Sequence, residues 1–184
     1  MAITKVDRNE WLKAGAQKFA TKGLDGINVE RLAKHLKCNK SSFYWHFKTK
    51  DNFLNELIHY WFEHSTSPIL QELNKETDSK KRFKSFIQLS FEDKSRKDFM
   101  FYLRTLGERD NNTKQLLQQL SDERLSFITL LIQDLGYSHE IAHKKAQILM
   151  LFYLGWYELN KSTSPNTENE IADALLLIND FINF

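Results

Sequence analysis

Apolar residues return at every third or fourth position along most of this chain, and alternation at every second position is nowhere sustained. That pattern predicts an all-α fold of about nine helices. Leu12, Ala16, Phe19 and Ala20 mark one face of a first helix over about residues 7–22, ended by Gly23. "GLDGIN" reads as a loop. Asn28 suits an N-cap, and Val29, Leu32, Ala33 and Leu36 form one face of a short second helix. After a tight turn at "KCN", Asn39 caps a third helix whose inward residues, Phe43 and Phe47, stand four apart. Thr49 caps a fourth, with Asp51 near its positive dipole end and Phe53, Leu54, Leu57, Ile58 and Trp61 along it. Ser67-Pro68 is expected to interrupt that helix. Further helices are predicted over about 69–75, 79–94 and 97–107, then a break at "ERDNNT". A long helix over 113–135 is closed by Gly136, and one over 139–161 is capped by Ser138. "NKSTSPNTE" is a polar loop, and residues 168–183 form the last helix.

Composition narrows the class. The 184 residues are 41% apolar and 27% charged, which suits a folded globular chain rather than a disordered one. A single cysteine excludes an intrachain disulfide framework. No apolar run reaches the roughly 20 residues that cross a bilayer. "MAITKVDRNEWLK" lacks the apolar stretch of a secretory signal, so a cytoplasmic protein with no membrane partner is expected. The net charge of +2 hides an asymmetry. Residues 1–50 hold eleven Lys/Arg against four Asp/Glu, a net of +7, and residues 51–184 hold fifteen against twenty, a net of −5. A basic head on an acidic body is the electrostatic outline of a nucleic-acid binder.

The stretch "CNKSSFYWHFKTKDNF", Cys38 to Phe53, packs five aromatic rings and three lysines into sixteen residues. Two short helices joined by a three-residue turn describe a helix-turn-helix, whose second helix enters the major groove. Phe43 and Phe47 would anchor that helix. Lys40, Ser41, Ser42, Trp45 and His46 are left to meet DNA, with the lysines and the Tyr44 hydroxyl available to phosphates.

These residues also carry a family likeness. "FATKGLDGINVERLAKHLKCNKSSFYWHFKTKDNFLNEL" resembles the DNA-binding region of the TetR family of bacterial transcriptional regulators, over roughly residues 9–57. The most specific part is "FYWHFKTKD", which is similar to the family's leucine-tyrosine-x-x-phenylalanine-x-x-lysine-acid pattern. The resemblance implies that Tyr44 grips a phosphate, and that Lys50 does the same beside the N-terminal dipole of helix four. It places Ser42, Trp45 and His46 on recognition-helix positions that touch bases or backbone. Lys37 stands where the family usually has a turn glycine. If φ is positive there, lysine costs on the order of 1 kcal/mol and can gain a phosphate contact. With the capping Asn39, the expected DNA-contact set is Lys37, Asn39, Lys40, Ser41, Ser42, Tyr44, Trp45, His46 and Lys50. Cys38 replaces a usually aliphatic turn residue and reads as a small apolar group. The implied architecture is a helix-turn-helix head, residues 1–50, joined by helix four to a helical ligand-binding and dimerisation body, residues 51–184.

In the body, "AQILMLFYLGWYEL" is apolar around most of its helix, and Ile171, Leu175, Ile178 and Ile182 stripe the last one. The two helices could meet their copies as a four-helix bundle, as in the TetR family, with Leu149, Phe152, Trp156, Ile171, Leu175, Ile178 and Ile182 at the interface. Aromatic residues crowd the middle, where family members often hold a small molecule. The candidate pocket residues are Trp61, Phe62, Phe86, Phe99, Tyr102, Arg104, Tyr153, Trp156 and Tyr157. Arg104 interrupts the apolar "FMFYLRTL", so it either needs an acidic partner, Glu158 or a ligand, or points outward. Helix four is expected to be the only short link from the head to any such pocket.

"HEIAH", His139 to His143, spells a zinc-hydrolase pattern with Glu140 as general base. Its longer signature is missing, because positions 146 and 149 are Ala146 and Leu149. The expectation is therefore a homodimeric regulator, not an enzyme, with no cofactor or metal. Its partners would be an operator duplex, its own copy and a small-molecule inducer that releases it as a repressor. A constitutive regulator without ligand is the alternative, and a metal-dependent hydrolase the remote one.

Overall fold

A helix begins with four backbone N–H groups that lack intrahelical partners, and this sequence supplies side chains for several of them. In the computed structural model, which describes residues 6–92, 98–160 and 167–184, Asp7 and Glu10 form a reciprocal capping box at the start of α1, Arg8–Lys22. Asn28 and Asn39 accept from Arg31 N and Ser41 N, each at 2.9 Å, and open α2, Val29–His35, and α3, Lys40–Phe47. Thr49 accepts from Asn52 N at 3.1 Å and opens α4, Lys50–Leu73. Then follow α5, Ser79–Glu92, α6, Phe99–Gly107, α7, Asn111–Gln133, α8, His139–Asn160, and α9, Thr167–Ile182. The expected all-α fold and helix count hold among the described residues.

Pro68 does not interrupt the fourth helix. α4 runs through it, and the helix expected over 69–75 is the end of α4. An internal proline costs about 3 kcal/mol. Phe62 before it and Leu73 after it are both buried. The expected end of the fifth helix and start of the sixth, residues 94 and 97, lie outside the described residues, as do most of the loop before α9 and residue 161. α7 starts at Asn111, inside the expected break, because Asp110 accepts from Thr113 N at 2.8 Å and caps it. Gly136 closes α7 with φ 100°.

The chain forms two compact units. One holds Met1–Thr66 and Arg96–Gln115, the other Ser67–Ser95 and Leu116–Phe184. The first is built on an aromatic cluster. Phe43 lies 5.3 Å from Trp11 and 5.0 Å from Phe53, ring centre to ring centre, and Phe47 lies 4.8 Å from Phe53. Gly15 lets α1 approach α4, since a Cβ there would come within 2.5 Å of Phe53 Cζ. α6 belongs to this unit too. Phe99 packs on Phe19 at 4.8 Å, Tyr102 Oη donates to Thr21 O at 3.2 Å, and Asp98 N donates to Ala20 O at 3.2 Å. Helix four is therefore not the only helix joined to the head, as α6 rests directly on α1. The second unit buries Leu73, Phe83, Ile87, Phe91, Ile132 and Ala146 in one core with α9 residues.

Candidate nucleic-acid interface

The turn between α2 and α3 is fixed by Cys38 N donating to Ala33 O at 3.0 Å. Lys37 takes the positive φ, 54°, that the sequence raised as a question. A lysine held there costs about 1 kcal/mol. Cys38 is half-buried, and desolvation, with Glu10 adding to it, pushes its thiol pKa up. It is held as a thiol, not as a reactive thiolate.

α3 has three faces. Phe43 and Phe47 are buried. Ser42 and His46, four apart, are half-buried and bonded within the head. Ser42 Oγ accepts from Trp11 Nε1 at 3.4 Å, and His46 Nε2 lies 3.0 Å from Val6 O. The third face is exposed: Lys40, Ser41, Tyr44 at 45% and Trp45 at 65%. The predicted contact set thus splits. Trp45 stands outward, whereas Ser42 and His46 hold α3 against the rest of the head. Lys40 Nζ also meets Glu30 Oε1 at 3.0 Å, in an exposed ion pair of little weight. Lys37, Asn39 and Lys50 are exposed as well.

α3 passes to α4 through one strained residue. Lys48 has φ 63° and ψ −51°, and Thr49 N donates to Phe47 O at 2.7 Å. This is a three-residue γ-turn of the rare positive-φ kind. It places the first residue of α4, Lys50, three positions beyond the end of α3. Sequence reasoning missed Arg8. Its guanidinium grips Glu56 with Nε–Oε2 at 2.7 Å and Nη2–Oε1 at 2.5 Å, and it lies 5.4 Å from the Phe47 ring centre. The partner is 48 residues away, so no local pattern reveals it.

Residues 12–57 match the profile described as bacterial regulatory proteins, tetR family. The TetR-family likeness is thus one of the head. Tetracycline repressor protein class G of Vibrio anguillarum is 33% identical to this chain over 55 residues, 30% of the chain and 26% of that relative's length. Among solved structures, a transcriptional regulator from Saccharomonospora viridis in complex with choline superposes with TM-score 0.78 at 16% identity, over 96% of this chain and 95% of that one. AibR, in complex with isovaleryl coenzyme A and operator DNA, superposes with TM-score 0.66 at 14% identity, over 94% and 96%. At such identities the likeness is one of fold.

The interface residues expected in the body need correction. Leu149, Ile171, Ile178 and Ile182 are buried in the second unit's own core, and Phe152, Trp156 and Leu175 pack partly buried against it. The richest apolar stripe of each helix is used within the subunit. What α8 and α9 leave exposed is a different stripe: Ile141, Ile148, Leu151 and Leu159, with Leu176 and Leu177. Nothing lies within 4 Å of where a Cβ on Gly155 would stand.

The expected pocket residues divide between the units. Trp61, Phe62, Phe99, Tyr102 and Arg104 belong to the first, Phe86, Tyr153, Trp156 and Tyr157 to the second. Trp61 stacks on Phe99 at 4.3 Å with rings 1° from parallel, and Phe91 packs on Tyr153 at 5.2 Å and on Trp156 at 4.7 Å. Arg104 is exposed, so its charge does not demand the acidic partner a buried site would require. A groove lined by Gln119, Asp122, Glu123, Ser126, Phe127 and Leu130 opens along α7. At "HEIAH", Glu140 Oε1 accepts from Lys144 Nζ at 2.7 Å, and His139 Nδ1 lies 3.3 Å from Gln133 Oε1. Among the described residues no three of His, Cys, Asp and Glu gather as a metal-binding group. Nor is any described helix long and apolar enough to cross a membrane.

Proposed function

We propose that this chain is a DNA-binding transcriptional regulator that acts as a homodimer on an inverted-repeat operator, as a repressor released by a small molecule, and not as an enzyme. The observation that carries the reading is the exposed outer face of α3, with Tyr44 and Trp45 presented and Phe43 and Phe47 buried beneath them. A helix built this way can lie in the major groove while Tyr44, Lys37 and Lys50 meet phosphates. Ser41, Asn39 and Lys40 complete the outward set, and Ser42 and His46 serve by fixing the helix. The functional boundary falls after residue 50, with residues 1–50 reading DNA and residues 51–184 regulating. Homodimerisation is supported by the exposed stripe of α8 and α9, because a run of large apolar side chains left in water marks an interaction surface.

Release by a ligand draws support from the two structural neighbours, one in complex with choline and one with isovaleryl coenzyme A and operator DNA. The candidate contacts are Trp61, Phe62, Phe99, Tyr102 and Arg104 within the first unit, and Phe86, Tyr153, Trp156 and Tyr157 within the second. The test is selection of a bound duplex from a randomised library, followed by a salt titration and a metabolite screen. A two-fold symmetric sequence bound with a steep salt slope is expected. Failure to enrich any sequence would overturn the reading. Enrichment without any metabolite that weakens binding would leave a constitutive regulator.

A further inference from the structure

We propose that Trp45 is a specificity-determining residue that reads the 5-methyl group of a thymine in each operator half-site. The inference rests on the reading of the head as a DNA reader and names what one side chain recognises there.

Successive residues of an α-helix are turned by about 100°, which places Trp45 about 180° from the mean direction of Phe43 and Phe47. Those two phenylalanines are buried, and Trp45 is the most exposed large apolar side chain of α3. It therefore points directly away from the core that the helix packs on. Its position is braced as well. The His46 ring meets the indole edge-on, 4.7 Å centre to centre at 78°, and His46 Nε2 lies 3.0 Å from the carbonyl of Val6, itself buried. Ser41 lies one turn earlier on the same exposed face, and its small side chain leaves room beside the indole.

The chemistry of the ring then selects its partner. An indole can donate one hydrogen bond and accept none. Over the amino groups of adenine or cytosine it would strip water from a donor and return nothing. The one apolar group in the major groove is the thymine methyl. A broad apolar surface opposite the core of a recognition helix is complementary to that group, and the single indole N–H is all it could offer to a base acceptor such as guanine N7.

The test needs no variant at first. In the duplex selected by the wild-type protein, each thymine is replaced singly by deoxyuridine, which removes the methyl and keeps every hydrogen-bonding group. One position per half-site should weaken binding about fourfold, the effect expected for one buried methyl. A cytosine placed there should bind better when 5-methylated. In Trp45→Ala, whose fold is checked by thermal melting, the deoxyuridine effect at that position should vanish. The inference is overturned if no thymine shows the effect, if Trp45→Ala keeps it, or if replacing guanine by 7-deazaguanine is what weakens binding through Trp45. All three outcomes leave specific DNA binding standing. A protein that selects no duplex overturns the functional reading, and this inference with it.

Discussion

Leu149 and Leu151 stand two residues apart on α8 and should answer the same substitution in opposite ways. Leu149 is 3% exposed and belongs to the core of its unit, whereas Leu151 is 68% exposed. Leu149→Asp removes an apolar side chain whose burial stabilises by about 1.5–3 kcal/mol and puts a carboxylate in its place. An unpaired buried charge adds several kcal/mol more. Against a total stability of about 5–15 kcal/mol, the unit should unfold or melt far lower. Leu151→Asp should leave the monomer intact. If this stripe is the dimer interface, burying the exposed 68% of the side chain is worth about 1–2 kcal/mol per copy. Two-fold symmetry doubles the loss to about 2–4 kcal/mol, and two carboxylates forced into an apolar contact carry it beyond about 4 kcal/mol, on the order of a thousandfold in the dimer Kd. Sedimentation across nanomolar to micromolar concentrations measures the Kd, and circular dichroism melts report the fold. A Leu151→Asp protein as dimeric as wild type would refute this placement of the interface. A Leu149→Asp protein that is folded, with an unchanged melting temperature, would refute the placement of the core.

Tyr44→Phe and Lys50→Ala should weaken binding to all sequences alike, and Lys50→Ala should flatten the plot of log K against log salt by about one unit in filter binding. Gly23→Ala should destabilise the protein by about 1–3 kcal/mol in urea titrations, because φ is 57° and the new Cβ would come within 2.5 Å of Tyr102 Cδ1. Combining it with Tyr102→Ala should remove the clash but not the backbone strain. Hydrogen bonds from Thr113, through its side chain and then its backbone, hold the pKa of Asp110 below its ordinary carboxylate value. Its contribution is therefore present above that value and is lost as pH falls through the lower folded one. The difference in melting temperature between wild type and Asp110→Asn should be full at neutral pH and shrink in strong acid, and a difference that grows on acidification would contradict the sign.

The parts of the fold that rest on near neighbours were legible in the sequence. Asn28, Asn39 and Thr49 cap helices with N–H groups two or three residues away, so their role shows in local order. The burial of Phe43 and Phe47 follows from their spacing, whereas the positive φ of Lys37 was raised only by the glycine usual at that place in the family it resembles. What local order could not show depended on distant partners. Ser42 and His46 look like free groove-facing side chains until Trp11 and Val6, 31 and 40 residues away, claim their polar atoms. Pro68 reads as a breaker because propensity is local, yet the helix continues where buried residues flank it. α8 and α9 each carry two apolar stripes, and periodicity cannot say which one turns inward.

The head is built to keep its shape. Its aromatic rings are 0–1% exposed at Trp11, Phe43, Phe47 and Phe53, and α1 approaches α4 so closely at Gly15 that even a methyl would not fit. Arg8 ties α1 to α4 and lies over Phe47 at the end of α3, while the γ-turn at Lys48 joins α3 to α4 without slack. Such packing resists small distortions, because separating the rings by even half an ångström forfeits much of their attraction. If a ligand releases the operator, it therefore has little to gain from bending α3 within the head. It would have to act on how the two heads of a dimer are spaced, and helices that extend from the head are the elements able to carry that change. Linkage then sets its size. A hundredfold loss of operator affinity requires the ligand to bind about a hundredfold more weakly to the DNA-bound form, a coupling of about 2.7 kcal/mol. Isothermal titration of the ligand with and without operator measures that coupling. Equal affinities in the two titrations would show that the ligand leaves the spacing of the heads unchanged.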